Sequence, residues 1–152
     1  MFKRRFILVV VSFLCLSVVF LVFFSRVNWP ARVVVNGQVF NVGVADTSYL
    51  QHRGLSGEKS LDTDEGMFFI FQNPGKYGFW MKNMLFPIDI VWIDQNLKII
   101  GIEKNVSPDT YPKTFYPPEN VLYVLEISAG RANSSNIKIG DSVNFVKSDS
   151  RN

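Results

Sequence analysis

The sequence predicts a mainly β domain, a single β-sandwich or partly closed barrel with one short helix, preceded by an N-terminal transmembrane helix. Three observations point there. Residues 6–24 form one uncharged apolar run. Short runs of β-branched and aromatic residues recur from Val33 to Val146. Turn formers separate those runs, among them Asn36-Gly37, Asp94-Gln95-Asn96, and four prolines between residues 105 and 120.

The apolar run, FILVVVSFLCLSVVFLVFF, has 19 residues. As a helix rising about 1.5 Å per residue it matches a hydrocarbon core of roughly 30 Å, so residues 6–24 can span a lipid bilayer. Lys3-Arg4-Arg5 precede it, and basic flanks are retained on the cytoplasmic side. The expected address is the cytoplasmic membrane, single-pass, with the N-terminus inside and the C-terminal domain extracytoplasmic. A cleaved secretory signal would leave a secreted protein instead. Its apolar region is usually shorter, and small residues of the A-x-A kind follow it, whereas Phe23-Phe24-Ser25-Arg26 follow here. The chain divides into a basic flank and anchor (1–25), a linker (26–31), an extracytoplasmic β domain (32–147) and a polar tail (148–152).

The formal net charge of +3 belongs to the anchor. Without Lys3, Arg4 and Arg5, 13 of the 16 basic residues remain against 13 acidic ones, so the exported part has no basic surplus with which to hold nucleic acid. The one cysteine, Cys15, lies in the apolar run, so the domain has no disulfide and depends on a hydrophobic core. The one histidine, His52, excludes zinc sites built from several Cys and His ligands. Neither a metal nor another cofactor is expected. Asp62, Asp64 and Glu65 form an acidic cluster but lack the twelve-residue calcium-loop pattern, which favours a solvated loop.

The elements follow in order. Val33-Val34-Val35 and Val39 to Val44 flank Asn36-Gly37, a pair suited to the positive φ angles of a type I′ hairpin turn. Asp46 or Thr47 can cap a helix over Ser48 to Arg53 that ends at Gly54. Strands are expected over Met67–Phe71, Gly78–Lys82, Ile88–Ile93 and Leu97–Ile102. Residues 105–120, with Pro108, Pro112, Pro117 and Pro118, are expected to form an irregular loop. Val121–Ile127 and Ser142–Val146 complete the set, the last able to close the sheet.

Six pieces then stand together in one order: Gly54-Leu55-Ser56; Gly66-Met67-Phe68-Phe69-Ile70-Phe71; Phe79-Trp80-Met81-Lys82-Asn83; Pro87-Ile88-Asp89-Ile90; Val124-Leu125-Glu126 with Ala129-Gly130; and Ile139-Gly140-Asp141. In that order they resemble the signature of the domain of unknown function family 192, over about Val33 to Val146. The resemblance implies a compact, mainly β domain, often exported behind a signal or anchor, with no established activity. Ser56 and Glu58 stand where the family usually has Met and a basic residue, and Met84 where it usually has Thr.

Lys82, Asp89 and Glu126 are charges set into apolar strands. An unpaired buried charge costs several kcal/mol, so each must pair, accept hydrogen bonds or face a cleft. In one arrangement Lys82 neutralises Asp89 or Glu126 while loop amides bond the carboxylates, a purely structural network. In the other, Trp80, Lys82, Asn83, Asp89, Trp92 and Glu126 line a small polar pocket with aromatic walls, as ligand sites often do. An envelope saccharide would suit such a pocket. Two further classes stay open: a glycosidase-like hydrolase using Asp89 and Glu126 as acid and base, if they stand about 5–9.5 Å apart, and an envelope-protein contact through Tyr111, Phe115 and Tyr116 of the 105–120 loop. His52, four residues from Ser56, suits the surface of the short helix better than a Ser-His dyad.

Overall fold

The computed structural model describes residues 31–147. The expected span over residues 6–24, the linker before Ala31 and the tail over 148–152 lie outside them. Among the described residues no helix is long and apolar enough to cross a membrane.

Nine strands form in chain order: β1 (Ala31–Val35), β2 (Gln38–Ala45), β3 (Glu65–Gly75), β4 (Phe79–Trp80), β5 (Ile88–Ile93), β6 (Ile99–Val106), β7 (Thr114–Phe115), β8 (Val121–Ser128) and β9 (Val143–Lys147). Helices are short, α1 (Ser48–Arg53) and α2 (Arg131–Ser134), with one 3-10 turn at Pro108–Thr110. Seven strands make one mixed sheet in the order β6-β5-β8-β3-β2-β1-β9, and β4 pairs with β7 apart from it. The fold is therefore mainly β, and its sheet is not closed. The residues that lead into the two edge strands meet at one isolated bridge, Lys98 to Ser142.

The β1–β2 hairpin forms as its turn residues require. Val35 pairs with Gln38, and Asn36 and Gly37 take φ of 52° and 77°. From β2 the chain crosses through α1 into β3, which pairs with β2 in parallel. Antiparallel neighbours need only a turn, whereas a parallel pair needs a crossover, and α1 occupies it. Thr47 caps α1 by accepting from the Leu50 amide at 3.3 Å.

Apolar residues on both faces of β5 and β8 reflect a core on each side of the sheet. One core gathers Phe40, Phe68, Val91, Leu125 and Ile127 with Ala132 of α2. The other gathers Phe69, Ile90, Trp92 and Val124 with Leu55 and Met81, under α1 and β4. At Gly66 the packing admits no side chain: a Cβ there would stand 2.7 Å from the Glu126 carbonyl oxygen and 3.2 Å from Ile127. Gly66→Ala will force β3 away from β8 and lower stability by about 1–3 kcal/mol, measurable as a lower midpoint in thermal unfolding of the full chain.

One expected strand is shorter than foreseen, and one expected loop contains a strand. The run from Gly78 to Lys82 yields only Phe79–Trp80, because Asn83 takes φ of 57° in a turn that ends it. The proline-bearing loop contributes β7, which pairs Phe115 with Phe79 and Thr114 with Trp80.

Candidate functional site

The register of β5 on β8 sorts the buried carboxylates. Asp89 stands opposite Ile127, and Ile90 opposite Glu126. Opposed residues share a face and consecutive ones alternate, so Asp89 and Glu126 project from opposite faces of the sheet. No single cleft holds both, and the expectation of an acid and base acting together as in a glycosidase is corrected by that geometry.

Asp89, fully buried, accepts from the Asn105 amide at 2.8 Å and from the Ala132 amide at 2.8 Å. It ties β6 and α2 to β5, and its hydrogen bonds account for the carboxylate without a ligand. Lys82 plays no part: it is exposed and, among the described residues, the ion pair formed is Arg53 with Glu58 at 2.9 Å. The expected neutralisation by Lys82 does not occur, because Met81 takes the inward position of that segment and Lys82, the next residue, faces solvent. The segment supplies backbone instead. Ser56 Oγ donates to the Lys82 carbonyl at 2.9 Å, and the Gly57 amide to that of Asn83 at 3.0 Å.

Glu126 has no such partners. It is 6% exposed, its Oε2 is buried without a hydrogen bond, and burial pushes its carboxyl up to about 8 from the ordinary 4.5. It lines a cavity of about 220 Å³ between α1 and β4, with Gly54, Phe69, Tyr77, Phe79 and Trp80. Gly54 closes α1 with φ of 50°. A Cβ there would lie 3.5 Å from the Phe69 ring and 3.9 Å from Glu126 Oε2, so glycine keeps the approach to the carboxyl open. Phe79 packs edge-on to Phe69 at 4.9 Å and to Trp92 at 5.3 Å. Trp80 is 40% exposed and meets His52 edge-on at 5.9 Å.

Of the six residues expected to form a site, Trp80 and Glu126 line this cavity and Trp92 supports it through Phe79. Lys82 and Asn83 stand outside it, and Asp89 lies across the sheet. His52, Gly54, Phe69, Phe79 and Tyr77 were not foreseen. They come from α1 and its C-cap, from β3 and β4 and from the turn between those strands, and no spacing in the sequence joins them. The Ser56 hydroxyl is engaged by Lys82, which leaves it out of any dyad with His52. Among the described residues no group of three or more His, Cys, Asp or Glu could hold a metal ion.

The fold and cavity define a small mixed-sheet domain with one isolated acid in an aromatic recess. The profile of DUF192, described as an uncharacterized ACR, matches residues 31–145, and the chain belongs to this family. A crystal structure of a protein of unknown function from Novosphingobium aromaticivorans is similar at a TM-score of 0.71 and 33% identity, covering 74% of this chain and 83% of that one. A second, from Sinorhizobium meliloti, of a protein put forward as a transcription regulator, is similar at 0.71 and 26%, covering 80% and 98%. No curated protein matches.

Proposed function

We propose that this chain is a membrane-anchored, extracytoplasmic binding module of the cell envelope, and that the cavity beside Glu126 receives a small ligand such as an envelope saccharide. The observation that carries the binding role is the unpartnered Glu126 Oε2 in an aromatic recess that glycine keeps open. Buried polar groups normally find partners, and one aimed into a cavity is what a ligand would complete. At about 220 Å³ the recess is below the roughly 300 Å³ at which drug-sized sites begin, so it admits one small group or one end of a larger molecule. The span over residues 6–24 and its basic flank support the anchoring. Nucleic acid is not a partner in this scheme, since 13 basic residues face 13 acidic ones beyond the flank.

The test uses the full chain, which should require detergent for extraction, in a polyoxyethylene detergent that carries neither sugar nor ammonium. Saccharide fragments of envelope polymers are titrated while tryptophan fluorescence is read. Saturable binding is expected, with Trp80→Ala about tenfold weaker, in line with the worth of an aromatic contact. Saturable binding that Trp80→Ala leaves unchanged would place the ligand elsewhere.

A second class of partner is favoured by one observation. Tyr111 and Tyr116 are 49% and 59% exposed, while Phe115 between them is buried. Their rings give the 105–120 segment a surface for an envelope protein.

A further inference from the structure

We infer that the group received by the cavity is a cation, an ammonium that pairs with Glu126 and lies against the faces of the surrounding rings. This rests on the cavity being a binding site and names the chemistry of what it binds. The acid stands alone: Glu126 has an unbonded buried oxygen, and β5 sets only Ile90 opposite it. The other titratable or charged groups lining the cavity are His52 and Arg53 on α1 and Tyr77 after β3. Arg53 is held by Glu58 at 2.9 Å, with its side chain half exposed, so it does not neutralise the acid. His52 packs against Trp80 at the rim, and the Tyr77 hydroxyl donates to the Asn73 carbonyl at 2.6 Å.

That environment discriminates by charge. An anion would meet a carboxyl group with no free cation beside it. A neutral ligand could accept a hydrogen bond from the protonated acid but would gain little from ring faces, which carry the negative part of the aromatic quadrupole. A cation gains from both, through an ion pair in a low-dielectric recess and cation–π attraction to a lining ring that packing leaves accessible, Trp80 above all at 40% exposed. The step balances simply: the carboxyl loses its proton to solvent as the cation enters, and the carboxylate and ammonium remain as the pair.

Choline chloride and its uncharged carbon isostere, 3,3-dimethylbutan-1-ol, are the probes. Each is titrated calorimetrically into the full chain in polyoxyethylene detergent, in two buffers of different ionisation heat, at pH 6, 7 and 8. Choline is expected to bind at least tenfold more tightly than the alcohol at pH 8. Its affinity should fall about tenfold per pH unit below that, because only the ionised fraction pairs with it. About one proton should be released per choline at pH 6. Glu126→Gln should erase the preference for choline yet still bind the alcohol, and His52→Gln should keep the pH slope. Equal affinity for the two probes, or choline affinity flat from pH 6 to 8, overturns the assignment of charge and leaves the pocket standing. If neither probe binds while saccharide fragments do, the assignment also falls. If nothing binds, both readings fall.

Discussion

Glu126→Gln will leave the unliganded protein more stable than the wild type at pH 8 and above, and close to it near pH 4.5. The sign follows from proton counts. In the folded state burial holds the Glu126 carboxyl at about 8, against 4.5 when unfolded. Between those values the folded chain keeps a proton that the unfolded chain has released. Stability therefore falls as pH rises through that window, and the loss is complete above about 8. The span corresponds to at most about 5 kcal/mol at 1.36 kcal/mol per unit. Glutamine has the same shape and no charge to desolvate, so the variant escapes the loss. Chemical unfolding of both proteins across pH 4 to 9 measures it. A wild-type curve no steeper than that of the variant between pH 5 and 8 would mean that Glu126 is solvated or paired, and the isolated-acid account would fail.

Asp89 should behave in the opposite way. Asp89→Ala would strand the Asn105 and Ala132 amides, each now 2.8 Å from a carboxylate oxygen, and open a void against a core with no access to water. Hydrogen bonds to charged groups contribute about 1.5–3 kcal/mol each, so a loss of about 3–6 kcal/mol is expected. That is enough to unfold a marginal domain. Asp89→Asn, which keeps one acceptor, should lose roughly half as much. Hydrogen exchange should show the damage at Asn105 and in α2 first, while the cavity lining on the other face keeps its protection wherever the domain remains folded. The same carboxyl chemistry thus stabilises on one face of the sheet and destabilises on the other, and the difference is two backbone amides.

Much of the local structure was legible because single residues dictate it. Asn36-Gly37 specified the first hairpin, Thr47, one of two candidate caps with Asp46, and Gly54 bounded α1, and the run Ile88–Ile93 became β5 with the boundaries expected. What depends on pairing was not legible. The parallel contact of β2 with β3 arises only when α1 folds back across the sheet, and β7 lies in a segment whose prolines mask two residues of strand. The site divides in the same way. A lone glutamate in Val121–Ile127 declared itself by its neighbours. Whether it faced Asp89 or turned away from it depended on a one-residue offset between β5 and β8, which only the register fixes. Lys82 was misassigned for a local reason: the alternation continues through it, with Met81 turned into the core and Trp80 and Lys82 sharing the outer face.

The bridge between Lys98 and Ser142 bears on how the molecule behaves in company. An open seven-stranded sheet has two unpaired margins, each a template on which another chain can add a strand. Here part of one margin covers part of the other. The Val143 amide donates to Leu97 at 2.8 Å and the Ile99 amide to Asp141 at 3.0 Å, and Lys98 Nζ reaches Ser142 Oγ at 2.7 Å. Along that stretch the backbone groups that would add a strand from a second copy are spent within the first, which leaves the rest of β6 and β9 as the margins open to pairing.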